Sequence, residues 1–349
     1  MAKGAGAKLL GLELGRFWAA LLVVLFHFSY GFANLHGDRQ FLSWFRAGHC
    51  GVDYFFVLSG FIIYHVHYRD IGVAGMARPF AIKRFLRLYP SYWAIFAVML
   101  VLTAVTFGIG SWGGGDRILD ALLLPYGGKP MIGQAWTLRH EIVFYAFFAL
   151  VILRPRIGWV AFVAWQIVSM IVGVAYAGHV PWAIEPVLHV YNIGFAAGLL
   201  AGWAYERFPN VRSGALAALG LAATLALMVW ETRIGQDVPP ERWPLGEVAS
   251  PLLYMAAAVP LVIGLAGWQP GWAVRHARVV GWLGGCSYVL YLIHNLFMSV
   301  ALRVPLTAKL PAPLAFALMV TGVVAGAILL HLWAEKPMLA ALRRRMLPR

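Results

Sequence analysis

The amino-acid sequence predicts an all-α protein that crosses a membrane about ten times, and three observations carry that prediction. The first is composition: of 349 residues, 61% are hydrophobic and 12% charged, and mean hydropathy is +0.74. A water-soluble domain carries about 25% charged residues. With half that supply this chain cannot cover a water-facing surface, so lipid has to solvate much of it. The second is the recurrence of mostly apolar runs of roughly 20 residues, the length that spans a bilayer. The third is the unequal distribution of Lys and Arg between alternate loops. The 15 Trp and 21 Phe agree, because aromatic rings settle at membrane interfaces.

In chain order the predicted spans are 12–34, 48–68, 88–107, 135–153, 157–177, 186–205, 215–230, 250–266, 282–302 and 313–333. The first follows Lys3 and Lys8, as a cleaved leader would. Arg16 and His27 interrupt it, however, and bulky Phe28, Tyr30 and Phe32 stand where cleavage needs small residues, so it reads as a retained helix. The eighth span is the weakest, because Pro251 and Pro260 fall inside it. Alternating the loops puts eighteen of the 28 Lys and Arg on one side, from Lys3 and Lys8 through Arg69, Arg78, Lys83, Arg84, Arg87, Arg154, Arg156, Arg207 and Arg212 to Arg275, Arg278, Lys336 and Arg343–Arg345, with Arg349 last. The other side holds nine: Arg39, Arg46, Arg117, Lys129, Arg139, Arg233, Arg242, Arg303 and Lys309. The positive-inside rule then places both termini in the cytoplasm, and an odd number of spans would spoil the segregation. The net charge of +14 is thereby explained without nucleic acid. No long polar stretch is present, so the expectation is one membrane domain with no fused extracytoplasmic domain.

An ionisable residue inside a span is a functional candidate, because its burial is costly unless it is partnered. The first span holds Arg16 and His27, eleven positions apart. Eleven steps of about 100° return to within ~20° of the same face, after a rise of ~16 Å. Both therefore face one side at different depths. Separately, Arg16 could pair with Glu13 and His27 could be a satisfied core residue. Glu141 enters the fourth span to a depth matching that of His27, where a carboxylate and a histidine can form a base and its orienting partner; an ion pair is the alternative. Asp53, near the outer end of the second span, could cap that helix or hold His27. The loop after the second span ends in Lys83-Arg84-Phe85-Leu86-Arg87-Leu88-Tyr89-Pro90. Arginine forks suit phosphate groups, although a basic cluster also sets topology and binds anionic lipid. Ser287, Tyr291 and His294 make a polar stripe in the ninth span, and helix packing would give the same pattern. Ser59, Trp136 and Tyr145 complete the candidate cavity lining.

Several chemistries are excluded. Cys50 and Cys286 lie far apart and form neither a disulfide framework nor a metal cluster. His65 and His67 point about 200° apart on a helix and are poor co-ligands. No metal site and no permanently bound cofactor are expected.

Five landmarks then occur together: Arg16 with His27; Gly51-Val52-Asp53-Tyr54-Phe55-Phe56-Val57-Leu58-Ser59-Gly60-Phe61; the run from Lys83 to Pro90; Trp136-Thr137-Leu138 followed by Glu141; and Ser287-Tyr288 with Tyr291-Leu292 and His294. Trp333-Ala334-Glu335-Lys336-Pro337 fits as well. In combination they resemble the acyltransferase 3 family of integral membrane O-acyltransferases over nearly the whole chain, most closely its exopolysaccharide-modifying branch. The resemblance implies an enzyme of the bacterial cytoplasmic (inner) membrane. It would take an acyl group, usually acetyl, from cytoplasmic acyl-CoA to a hydroxyl of a cell-surface, exopolysaccharide or lipid-linked glycan. The family's essential arginine–histidine pair carries over to Arg16 and His27, and its basic motif to Lys83, Arg84 and Arg87. Lys83 stands where an arginine is common, which keeps phosphate attraction with less bidentate geometry.

The residues and the resemblance agree on a layout. Arg16, Lys83, Arg84 and Arg87 hold the phosphates of acetyl-CoA or another acyl-CoA co-substrate, and the thioester reaches His27. His27, oriented by Glu141 or Asp53, takes the proton of the acceptor hydroxyl, or else it is the nucleophile of a covalent acyl-histidine. Two other classes compete. A transporter or flippase for a glycan or lipid-linked precursor would show paired halves with broken helices, and transport driven by an ion gradient would identify it. A scaffold would leave Arg16, His27 and Glu141 dispensable. Trp112, Trp182 and Trp243 in the outer loops either anchor the interface or stack on sugar rings.

Overall fold

The computed structural model describes residues 9–37, 40–107, 116–211, 214–235, 246–304 and 309–347. Among these the protein is all helical, with no strand. The main helices are α1 (Leu10–His36), α2 (Cys50–His67), α3 (Ala77–Phe107), α4 (Ala135–Leu153), α5 (Pro155–Ala175), α6 (Ile193–Arg207), α7 (Gly214–Gly235), α8 (Gly246–Gly267), α9 (Ala277–Ala301), α10 (Ala312–Leu330) and α11 (Lys336–Met346). Nine helical segments among the described residues are long and apolar enough to cross a membrane, α10 running on into α11 as one of them. The protein is a multi-pass membrane protein.

The sixth predicted span falls short of that criterion. Its helix, α6, has 15 residues, about 22 Å of rise against a hydrocarbon core of about 30 Å. A short turn at Glu185–Leu188 and a 3-10 turn at Val190–Asn192 precede it in place of further α-helix. What holds α6 is close contact with α2. Gly194, Gly198 and Gly202 recur every fourth residue and form one glycine face. A Cβ at Gly198 would run into the Val57 carbonyl and the Gly60 backbone, and one at Gly202 would meet Tyr64 and the Phe61 carbonyl. With α6 counted, ten segments alternate in direction, so the start of α1 and the end of α10 lie at one face of the bundle, the terminal face.

Two boundaries differ from the sequence reading. α3 begins at Ala77, so Lys83, Arg84 and Arg87 sit on its first turns and not in a loop, and the helix continues through Pro90. α8 is continuous through both Pro251 and Pro260. A proline removes one helical hydrogen bond, and neighbouring helices make that tolerable inside a membrane bundle. The Trp333–Pro337 run enters a π-helical turn at His331–Glu335, where Glu335 accepts from Ser91 Oγ at 2.8 Å and from His331 Nδ1 at 2.6 Å.

Arg139, expected among the loop cations, is fully buried, and so is its partner Asp120, 3.0 Å away. Its guanidinium also donates to the Gly128 carbonyl at 3.2 Å and lies 4.2 Å from the Tyr126 ring centre. Lys3, Lys8, Arg39, Arg212, Arg242, Arg349, Trp112 and Trp243 lie outside the described residues.

Candidate active site

Two cavities lie inside the bundle and share Val52 and Tyr291 in their lining. The near chamber, about 1100 Å³, reaches the terminal face and is lined there by Arg16, Arg69, Lys83, Arg84 and Arg87. These cations come from the start of α1, the turn after α2 and the start of α3, three elements that alternation brings to one face. Deeper in, Ser59, Thr137, Glu141, Tyr145, Ser287 and Tyr291 line the same space. All four residues expected at the phosphates thus share one cavity.

Arg84 is the most constrained of the four. Its Nη2 donates to His67 Nε2 at 2.9 Å, and its guanidinium lies 5.7 Å from the Phe80 ring centre and 5.8 Å from that of Tyr145. An arginine has no acceptor, so His67 Nε2 must accept and the imidazole proton must sit on Nδ1. That proton is donated to Asp70 Oδ2 at 2.7 Å. His67 is fully buried. A carboxylate on the turn after α2 therefore fixes the tautomer of a histidine that in turn aims Arg84, whose buried Nε has no partner among the described residues. The histidine rejected above as a metal ligand is a clasp for an arginine. Arg87 lies 5.1 Å from the Tyr288 ring centre. Arg16 approaches Glu13 at 3.4 Å, and its Nη2 is buried with no partner among the described residues.

The far chamber, about 730 Å³, contains His27 and Trp136. His27 Nδ1 lies 2.9 Å from the Val23 carbonyl and 3.2 Å from His294 Nε2. A carbonyl can only accept, so Nδ1 carries the proton and Nε2 keeps its lone pair. His294 is fully buried behind His27. Its Nδ1 faces the Leu290 carbonyl at 3.3 Å, and its Nε2 faces Gln134 Nε2 at 3.2 Å. The Gln134 amide and the His27 Nδ1–H both converge on one acceptor, which fixes both rings.

Glu141 and Asp53 do not hold His27. Glu141 Oε1 accepts from Ser59 Oγ at 3.0 Å and from the Tyr145 hydroxyl, both on the near-chamber side. Asp53 is buried beside His49 and Glu231, and its Oδ1 has no partner among the described residues. Depth as well as direction differs: through His294, His27 stands level with Gln134 at the start of α4, seven positions before Glu141. Glu141 and His27 stand on opposite sides of a shared wall, which Val52 and Tyr291 form by lining both chambers. The Tyr291 hydroxyl is tied to Thr137 Oγ1 at 2.9 Å.

Four residues at the site carry little or no signal in the sequence. Thr137 was quoted only as part of a motif. Asp70 stands three residues after His67, a spacing that would have suggested the pair. Glu231 and His49 are 182 positions apart and bond at 2.8 Å, which no local pattern signals. Among the described residues no group of His, Cys, Asp and Glu could hold a metal ion.

Comparison with known proteins places this arrangement. The exopolysaccharide production protein ExoZ of Rhizobium meliloti (strain 1021) is 29% identical over 327 residues, an alignment covering 86% of this chain and 92% of that protein. No solved structure matches the chain. The acyltransferase domain family matches residues 9–332, nearly every helix described above. The chain belongs to the acyltransferase 3 family.

Proposed function

We propose that this protein transfers an acyl group, acetyl by preference, from a cytoplasmic acyl-CoA to a hydroxyl of an exopolysaccharide or other cell-surface glycan. The observation that carries the reading is the pair of chambers sharing Val52 and Tyr291, with the arginine cluster in one and His27 in the other. The arrangement suits a donor with a charged, phosphate-bearing end and a long thin arm. Arg16, Lys83, Arg84 and Arg87 take the phosphates of CoA at the terminal face, which the excess of Lys and Arg assigns to the cytoplasm. The pantetheine arm then runs inward along the ~16 Å that separates Arg16 from His27 on α1. The thioester comes to rest at the shared wall.

The acceptor reaches His27 from the far chamber, on the extracytoplasmic side. His27 Nε2 takes the proton of the attacking hydroxyl as its oxygen bonds to the thioester carbonyl carbon. The carbon–sulfur bond breaks, and the proton passes to the departing sulfur to give free CoA and the ester. His294 and the Val23 carbonyl keep the Nε2 lone pair available by retaining the proton on Nδ1. In this reading the transfer takes place within a membrane domain of the bacterial inner membrane. ExoZ, by its name a protein of exopolysaccharide production, supports a glycan acceptor.

The test is transfer from radiolabelled acetyl-CoA into surface polysaccharide by membranes carrying wild type or His27→Ala at equal abundance. Loss of label in the variant is expected. Label incorporated at the wild-type rate would overturn the assignment of His27.

A further inference from the structure

The far chamber contains a second polar cluster, separate from His27. His49, on the 3-10 turn Arg46–His49, pairs through Nε2 with Glu231 Oε1 of α7 at 2.8 Å. Glu231 Oε2 accepts from the Tyr254 hydroxyl of α8 at 2.5 Å. Both oxygens of Glu231 are engaged, one of them by the His49 Nε2–H. Nδ1 makes no hydrogen bond to any described residue, in a side chain 29% exposed. The Phe26 ring separates the two histidines, its centre 5.0 Å from the ring of His27 and 5.6 Å from that of His49.

Two further atoms on this wall have no protein partner. Ser250 Oγ and Asn295 Oδ1 are buried and unpaired among the described residues, and both residues line the chamber. Ser250 is 6% exposed. Hydroxyls on helices of this protein ordinarily bond back to the carbonyl four residues earlier, as Thr103, Thr224 and Thr232 do; Ser250 does not. A buried polar group without a partner is costly, and two such atoms beside the exposed edge of His49 around one cavity call for a ligand. Asn295 Oδ1 only accepts, so the ligand must bring an O–H or N–H donor. Glu247 adds a carboxylate to the same wall. An anionic group would meet the Asn295 oxygen and the Glu247 carboxylate, the Arg46 guanidinium of the same lining being engaged 5.8 Å from the Tyr30 ring centre, whereas hydroxyls would satisfy every unpaired atom. Trp136 and Tyr191, with ring centres 5.1 Å apart, line the same chamber and suit the apolar face of a pyranose.

We propose that His49, Ser250 and Asn295 form the acceptor subsite and bind neighbouring hydroxyls of an uncharged sugar ring, leaving one further hydroxyl at His27. The inference rests on the acyl-transfer reading and names its acceptor class. The probes are oligosaccharides released from the host's de-O-acylated surface polysaccharide and separated by anion exchange into uncharged and uronate-bearing fractions. Purified wild type, His49→Phe and Ser250→Ala are assayed with radiolabelled acetyl-CoA. His49→Phe keeps the ring contacts of His49 with Phe26 and Tyr254, and Ser250→Ala removes only a hydroxyl.

The expected result is acylation of the uncharged fraction, with KM raised about fivefold to tenfold in each variant, the worth of one hydrogen bond. Stabilisation by acetyl-CoA should be unchanged in both. Preference for the uronate-bearing fraction, an unaltered KM in Ser250→Ala, or no acylation of either fraction by wild type that does bind acetyl-CoA would each overturn the subsite. Failure of wild type to bind acetyl-CoA would instead bring down the transfer reading, and this inference with it.

Discussion

His67 is the residue through which the donor reading can be tested without touching a donor contact. Replacing it with Leu removes the acceptor for Arg84 Nη2, at 2.9 Å, and the link to Asp70. A hydrogen bond with one ionised partner is worth about 1.5–3 kcal/mol. Part of that is recovered when the released guanidinium turns to water in the chamber, which leaves about 1.4 kcal/mol, or tenfold in affinity. The expected result is a KM for acetyl-CoA about tenfold higher, with kcat within a factor of about two, because the proposed role of Arg84 is to bind phosphate away from the reacting carbonyl. His67→Gln should restore most of the affinity, since its amide can accept from Arg84 and donate to Asp70 at once. Steady-state kinetics in detergent at saturating acceptor would measure both parameters. An unchanged KM, or equal losses in kcat for the Leu and Gln variants, would refute the clasp.

Three other outcomes follow from the geometry. His27→Ala should lower transfer at least ~100-fold while keeping stabilisation by acetyl-CoA, because the donor contacts lie in the other chamber; a thermal melt with ligand beside a transfer assay separates the two. Asp120→Ala strands the fully buried Arg139 and should cost about 3–5 kcal/mol, seen as a lower melting temperature and reduced membrane abundance. Gly198→Val forces α6 away from the Val57 carbonyl and should cost about 1–3 kcal/mol, with a melt as the readout and Gly198→Ala as the milder member of the series.

What the sequence disclosed and what it withheld divide along a physical line. Segment length and charge alternation are one-dimensional properties, so the spans could be read, along with the convergence of Arg16, Lys83, Arg84 and Arg87 on one face. The exception among the spans is α6, whose 15-residue helix is held by glycine contacts and not by length. Its Gly194, Gly198 and Gly202 spacing was visible, but what it packs against was not. The partners of His27 were beyond reach for another reason. Depth can be counted only along one helix at a time, and the direction of a side chain around the bundle depends on how every helix is turned. Glu141 faces Ser59 in the near chamber, about two helical turns further in than the Gln134 level of His27, while His294, read only as part of a stripe, is the ring beside His27. Pairs such as His49 with Glu231 join loops and helices far apart in the chain, and only tertiary structure brings them together.

The most direct test of the account is the melting temperature of the purified protein with and without acetyl-CoA, for wild type and for Arg84→Ala/Arg87→Ala. A ligand bound only by the folded state stabilises it by about 2.7 kcal/mol at a hundred times its Kd. The account predicts an upward shift in wild type that disappears in the double variant. A folded wild type with no shift, or a double variant that keeps the full shift, would contradict it.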